Sequence, residues 1–395
     1  MKSITYYNQY PTVFIHGFTG FGPDNGLNRY YRYWGSFTKD LMKELGKRGY
    51  EVYNPSLGPF NSMWDRCCDL YAYLFGGTAD YGKVHSEKNG HARYGRTYPG
   101  VLKDLGGEGN HKKFNLVGHS FGGPTVCLFS SLLYSGAQEE IDGTPEEELS
   151  PLFKGGHGEL LHTVTTLSGT NNGTSLIEFI GEPLQKLCGS ALMTICATLS
   201  ETKAMQFYDF KTDHFGIMGN SADIKENKLT NPISKWSEIR AYAESDDNIF
   251  KEMGVEFSRN MAEKYYEMIP SVYYFARRAC RTHTLPSGRH MFNVNMNPLF
   301  YLTSPIIGRY KNKRHGIDES WFPNDGCVPI RGMNPPENMP QVEWIEGMTF
   351  ESGLWHTMPI EDKDHQSFAG MLEPRFKYFN YYSDMLELFR TLPDA

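Results

Sequence analysis

The chain has 395 residues, 39% hydrophobic, 14% aromatic and 22% charged, with a net charge of −7. That is a globular composition rather than a disordered one, and without a basic excess it excludes a nucleic acid or an anionic surface held by charge. The longest uncharged apolar stretch, Leu187–Ser200, falls short of the roughly 20 residues of a membrane-spanning helix. Met1–Tyr7 has no apolar run of the signal-peptide kind, so the chain reads as intracellular or as starting after a cleavage point. The cysteines at 67, 68, 127, 188, 196, 280 and 327 are odd in number and form no CxxC pair, against a disulfide framework or sulfur-ligated zinc.

In chain order, Thr12–His16 reads as a buried strand, Ser36–Arg48 as a helix with Phe37, Leu41 and Leu45 on one face and Gly49 as its stop, and Tyr50–Tyr53 as a strand. A helix runs from near Met63 to Phe75. Phe114–His119 is a third strand, followed at once by a helix through Leu133. Thr163–Leu167 is the fourth strand, Ser271–Ala276 the fifth and Val342–Ile345 a sixth, with a helix over Tyr378–Arg390. Alternating strands and helices predict an α/β fold, with a mostly parallel sheet covered on both faces. About 100 residues separate the fourth and fifth strands. Because the sheet resumes after them, they read as an insertion rather than a separate domain.

Gly118-His119-Ser120-Phe121-Gly122 is a G-x-S-x-G pattern between an apolar strand and a helix, the setting of a nucleophile on a strained strand-to-helix turn. The same reaction needs backbone N–H donors for an oxyanion. Phe121, next to the serine, supplies one; Phe18, in His16-Gly17-Phe18-Thr19-Gly20 after the first strand, supplies the other. A serine needs a base, and the base an acid, in the chain order Ser, acid, His. Histidines after the last strand leave His356 and His365; His365, ahead of the C-terminal helix, fits better. Asp318 and Asp325 are both possible acids; Asn324-Asp325-Gly326 lies in a turn that presents a side chain, which favours Asp325. Separately, Asp65, His85 and His91 fall in one polar region and can supply N and O ligands to a borderline metal such as zinc, although the spacing also suits solvated loop histidines.

Gly76-Gly77-Thr78-Ala79-Asp80-Tyr81-Gly82 through His85, with Gly90-His91-Ala92-Arg93-Tyr94-Gly95-Arg96-Thr97-Tyr98, resembles the zinc-containing true lipases of Gram-positive bacteria. Further matches are Tyr33-Trp34-Gly35, Trp64-Asp65-Arg66, Tyr208-Asp209-Phe210, Asp213-His214-Phe215-Gly216 and Asn324-Asp325-Gly326, so the resemblance runs from Pro11 to the C-terminal helix. It implies one α/β-hydrolase domain over 1–395, with an extra metal-binding segment at 61–98 and a lid-bearing insertion at 170–265. It implies hydrolysis of acylglycerol esters at a lipid–water interface with Ser120, Asp325 and His365 as triad and Phe18 and Phe121 as oxyanion donors. It also implies a structural zinc on Asp65, His85, His91 and Asp213, a helical lid over about Thr174–Leu199, and export from the cell. The family's calcium site is expected to be absent or weakened, because Ser367 and Leu372 stand where carboxylates would be needed. The chain is expected to act as a monomer. The alternatives are a carboxylesterase on short soluble esters and a non-catalytic lipid-binding protein on the same fold.

Overall fold

The structure, a computed structural model, describes residues 5–217 and 227–395. The first four residues of the N-terminal stretch, and part of the 170–265 insertion, therefore lie outside the described residues. A seven-stranded sheet runs in the order Gln341–Glu343, Leu354–Thr357, Tyr273–Arg277, Leu161–Leu167, Phe114–His119, Thr12–Ile15, Val52–Tyr53. Every neighbouring pair is parallel. The inner strands are buried on both faces, which is why they read as continuous apolar or β-branched runs rather than as alternating ones.

Successive side chains along these strands feed two cores. Val13, Leu116 and Tyr274 face one, with the helices Met63–Phe75 and Gly122–Ser135; their neighbours Phe14, Val117 and Phe275 face the other, with the helix Arg375–Arg390. Ile15, Gly118, Thr166 and Ala276 share one register line across four strands. The loops that follow it gather at the carboxyl edge of the sheet, where open parallel sheets place ligands.

Two elements differ from the sequence reading. The helix expected from Ser36 starts at Leu41, with Asp40 accepting a hydrogen bond from the Lys43 amide as its cap. Gly35 and Ser36 both have positive φ (129° and 61°), so the chain turns there and leaves Phe37 exposed instead of on the core face. The strand Leu354–Thr357 was not anticipated; Gly353 (φ 67°) turns the chain into it, and it lies between Tyr273–Arg277 and Gln341–Glu343.

Residues 61–98 form the helix Met63–Phe75 and an antiparallel hairpin, Gly77–Asp80 with Tyr94–Tyr98, that encloses the helix Lys83–Asn89. Over the sheet, the insertion builds the helices Ser175–Ile180, Glu182–Leu199, Trp236–Glu244 and Val255–Tyr265. Among the described residues no helix is long and apolar enough to cross a membrane.

Candidate active site and metal cluster

Ser120 sits between the strand Phe114–His119 and the helix Gly122–Ser135 with φ 58°, a left-handed conformation that a non-glycine residue adopts under strain. The flanking glycines are needed for contact. A Cβ at Gly118 would lie 2.1 Å from the Gly122 carbonyl oxygen, and one at Gly122 would lie 2.4 Å from that of Ile15. The Ser120 amide donates to the Leu167 carbonyl (3.0 Å), and its own carbonyl accepts from Gly123 (2.9 Å) and Thr170 (3.2 Å), so the strained turn is held on both sides.

The serine Oγ lies 2.8 Å from His365 Nε2, and His365 Nδ1 lies 2.7 Å from Asp325 Oδ2. A carboxylate only accepts, so Nδ1 carries the proton and Nε2 is left to accept from the hydroxyl. Asp325 is fully buried, and its other oxygen accepts from the amides of Cys327 (2.9 Å) and Val328 (2.8 Å). The His365 amide donates to the Asp325 carbonyl (2.9 Å), which ties the two residues through the backbone as well. Of the alternatives left open by the sequence, His356 is in the strand Leu354–Thr357, donating from Nδ1 to the Tyr274 carbonyl (3.2 Å) while Nε2 accepts from the Glu351 amide. Asp318 is exposed and caps the short turn Glu319–Trp321.

The turn carrying His365 is held by a guanidinium. Asp364 caps the His365–Ser367 turn, and its Oδ2 accepts from Arg281 (2.9 Å) and from the Asn297 amide (3.0 Å). Arg281 also donates to the carbonyls of Asp362 (2.7 Å) and Asn295 (3.2 Å). Burial pushes the Asp364 carboxyl above its ordinary range, against the pull of Arg281. Ser367 is buried inside this cap, and Leu372 is exposed with φ 57°.

The amides of Phe18 and Phe121 donate to no protein acceptor among the described residues. A Cβ at Gly17 would lie 2.5 Å from that of Ser120, so the loop before Phe18 packs directly on Ser120. His16 fixes this loop: Nδ1 donates to the Gly17 carbonyl (2.9 Å) and Nε2 accepts from the Leu57 amide (3.0 Å). The buried Arg66 donates to the His16 carbonyl, to the Gly58 carbonyl (3.0 Å) and to Thr125 Oγ1 (3.2 Å); burial lowers its pKa to about 10. Ser120 is only 8% exposed. In the two helices Ser175–Ile180 and Glu182–Leu199, Ile177 and Met193 point into the cores while Phe179, Leu184, Leu187 and Ile195 are exposed.

A second cluster lies in the 61–98 segment. Asp65, His85, His91 and Asp247 bring one donor atom each to within 4.8 Å of one another. His85 Nε2 and His91 Nε2 are each 3.2 Å from an oxygen of Asp247, and 3.5 and 3.9 Å from Asp65 Oδ1. Donors around a tetrahedral ion with bonds of about 2.0–2.1 Å stand about 3.3 Å apart, so the spacing suits a shared ion. The orphaned atoms point the same way. Asp65 Oδ1, His91 Nε2 and both oxygens of Asp247 are buried without a hydrogen-bond partner, which is costly unless something binds them. His91 Nδ1 donates to the Ala92 carbonyl (2.9 Å), which leaves the Nε2 lone pair free for a metal, and His214 donates to Asp65 Oδ2 (2.9 Å), which leaves Oδ1. Burial works against charge on His85, but the carboxylates of Asp247 and Asp65 outweigh it and raise its pKa, the mark of a buried site with excess negative charge. The indole of Trp64 stacks on His85 at 4.9 Å.

Asp213 is therefore corrected as the fourth member. Its carboxylate is taken by Arg96, at 2.6 and 3.1 Å, and the same guanidinium holds Asp209. The fourth place belongs to Asp247, just after the helix Trp236–Glu244. Asp213 sits beside His214, which does reach Asp65, so a neighbour in sequence is displaced in space by a residue from a distant loop. The acidic pair Asp246-Asp247 was a visible signal, but nothing local ties it to residues 65–91.

The family described as "Lipase-like, C-terminal domain" matches residues 8–389. The chain is 32% identical over 372 residues to Lipase 2 of Staphylococcus aureus, covering 92% of this chain and 51% of that protein. A lipase of Staphylococcus epidermidis is 31% identical, covering 93% and 51%. The chain thus spans about half the length of these curated relatives. Among solved structures it is similar to Staphylococcus hyicus lipase (29% identity, TM-score 0.83, 98% of each chain). It is also similar to EstA from Clostridium botulinum (33%, TM-score 0.83, 100% of this chain and 90% of that) and to lipase 1 from Pelosinus fermentans (32%, TM-score 0.79, 98% and 99%). The seven-stranded sheet is the α/β-hydrolase type of these bacterial lipases, and the chain belongs to the lipase-like, C-terminal domain family.

Proposed function

We propose that this protein is a lipase that hydrolyses the carboxylic esters of acylglycerols through a Ser120–His365–Asp325 acyl-enzyme mechanism. The observation that carries the reading is the continuous pair of hydrogen bonds, 2.8 Å from Ser120 Oγ to His365 and 2.7 Å from His365 to Asp325. His365 Nε2 takes the hydroxyl proton as Oγ attacks the ester carbonyl. The amides of Phe18 and Phe121, unpartnered and flanking the nucleophile, receive the oxyanion. Collapse breaks the ester C–O bond, and His365 returns the proton to the departing alcohol. Water then enters, gives a proton to the same nitrogen, and releases the fatty acid with Ser120 restored. Asp325 holds the Nδ1–H tautomer and stabilises the imidazolium.

Asp65, His85, His91 and Asp247 would hold a structural zinc, their mixed N and O donors suiting that ion. When bound, it supplies a cross-link between the 61–98 segment and the insertion; four protein ligands leave no coordination position for chemistry. The helices at 174–199 act as a lid, whose exposed Phe179, Leu184, Leu187 and Ile195 suit a lipid surface. Arg281 supplies a fixed cation beside the His365 turn, which supports the expectation that calcium is dispensable there. The enzyme acts as an exported monomer.

The test is turnover of tributyrin emulsion against soluble p-nitrophenyl butyrate by the parent and by Ser120→Ala. Loss of both activities in a folded variant, with higher parental activity on emulsion, is the expected result. Parental preference for the soluble ester would make it a carboxylesterase, and turnover by Ser120→Ala would remove the assignment.

A further inference from the structure

The carboxyl edge of the sheet holds two buried, titratable side chains that the mechanism above does not use, Tyr33 and His119. His119 precedes the nucleophile in the chain. Its Nε2 lies 2.9 Å from the His365 carbonyl oxygen and its Nδ1 lies 2.7 Å from the Tyr33 hydroxyl. That hydroxyl is 2.8 Å from the Gly17 amide, one residue before the oxyanion donor Phe18.

The directions of these bonds follow from chemistry alone. A carbonyl only accepts, so His119 Nε2 carries a proton and donates to His365. The neutral ring then has a lone pair on Nδ1, which must accept from the Tyr33 O–H. The Tyr33 oxygen in turn accepts from the Gly17 N–H. Every donor in the chain finds an acceptor, and burial keeps both rings neutral, lowering the histidine and raising the phenol. Ring packing removes rotational freedom. Tyr33 lies against His16 (5.6 Å), His119 (5.8 Å) and Trp34 (5.4 Å), and His119 lies 4.8 Å from the His365 ring.

We propose that Tyr33 and His119 are positioning residues, a hydrogen-bonded strut that sets the oxyanion loop and the His365 backbone at a fixed distance from Ser120. The inference rests on the functional reading of Ser120 and His365 given above. Residues 120 and 365 are 245 positions apart, so no local chain geometry fixes their separation. His365 is clamped on two sides, its amide by the Asp325 carbonyl and its carbonyl by His119. The same strut reaches Gly17 and so aims the next amide, that of Phe18. Nucleophile, base and oxyanion donor are thereby referred to one rigid frame, which matters because an error of about 1 Å can cost about a hundredfold in rate.

The experiment measures kcat and KM on p-nitrophenyl butyrate, and the inhibition constant of butylboronic acid as a tetrahedral adduct, for the parent, Tyr33→Phe, His119→Gln and His119→Asn. Each is assayed well below its own melting temperature. In Tyr33→Phe we expect kcat to fall about tenfold with KM within twofold of the parent, and the boronate to weaken in step with kcat/KM. His119→Gln, whose amide can still reach the His365 carbonyl, should stay closer to the parent than His119→Asn, which keeps only a partner for Tyr33. A Tyr33→Phe protein with parental kcat and boronate affinity, or equal activities for the two His119 variants, would overturn the strut while leaving the triad in place. If Tyr33→Phe does not fold, the His119 pair decides alone. A parent without ester turnover, or an active Ser120→Ala, would overturn the functional reading and this inference with it.

Discussion

The Ser120 site and the Asp65 cluster are both buried and both built from histidine and carboxylate, yet they stand in opposite states. In the first, the buried side chains all have protein partners: the Asp325 carboxylate accepts three hydrogen bonds, His365 uses both ring nitrogens, and His119 and Tyr33 close the network behind them. In the second, two buried carboxylates and two imidazoles stand close together with several atoms unpaired. A satisfied network is ready to move a proton, whereas an unsatisfied one asks for an ion. The same residue types therefore signal catalysis or metal binding according to what their neighbours leave undone.

The largest effect is expected at Ser120. Ser120→Ala should lower kcat/KM on p-nitrophenyl butyrate by at least about four orders of magnitude, with circular dichroism and metal content unchanged. Loss of metal in that variant would mean that the two sites are not separate.

Asp247→Asn should lower zinc stoichiometry, measured by elemental analysis, and thermal stability together. An ion present at a thousand times its Kd contributes about 4 kcal/mol. A chelator should do the same to the parent and leave turnover intact until the protein begins to unfold. Immediate loss of turnover at a temperature where the fold persists would put the metal in the chemistry.

Arg281→Ala tests how far the His365 turn depends on its fixed cation. Leaving the buried Asp364 without its partner should cost about 3 kcal/mol, read by denaturant unfolding, with a fall in kcat. Turnover of the parent in calcium-chelating buffer should be unchanged if Arg281 is the cation that matters there.

Asp213→Asn carries the smallest expected effect. It breaks one arm of a partly exposed pair with Arg96, for about 1 kcal/mol, and zinc stoichiometry should stay at the parental value. A drop comparable to that of Asp247→Asn would restore Asp213 to the metal.

Much of the sheet was readable because its inner strands are short apolar runs closed by turn residues, and because a G-x-S-x-G pattern between a strand and a helix carries its own local geometry. The need for Gly118 and the positive φ of Ser120 arise within a few consecutive residues, although the close approach that requires Gly122 is to the distant Ile15 carbonyl. The strand Leu354–Thr357 was not readable, since its Leu-Trp-His-Thr sequence has no periodicity and it exists only by pairing between two neighbours. Once it is in place, His356 lies within the sheet, and the choice between His356 and His365 is made.

Local sequence was enough for the parallel sheet, the strained serine turn, the candidate order of Ser120, an acid and a histidine, and the membership of Asp65, His85 and His91 in a polar, metal-suited segment. It took the packed fold to bring Asp247 rather than Asp213 into that cluster, to pair Asp213 with Arg96, and to link the Gly17 amide through Tyr33 and His119 to the His365 carbonyl. The physical reason is range. Backbone strain, capping and apolar patterning are set within a few residues, whereas a shared ion or a hydrogen-bonded strut depends on which distant loops the packed sheet brings to one edge.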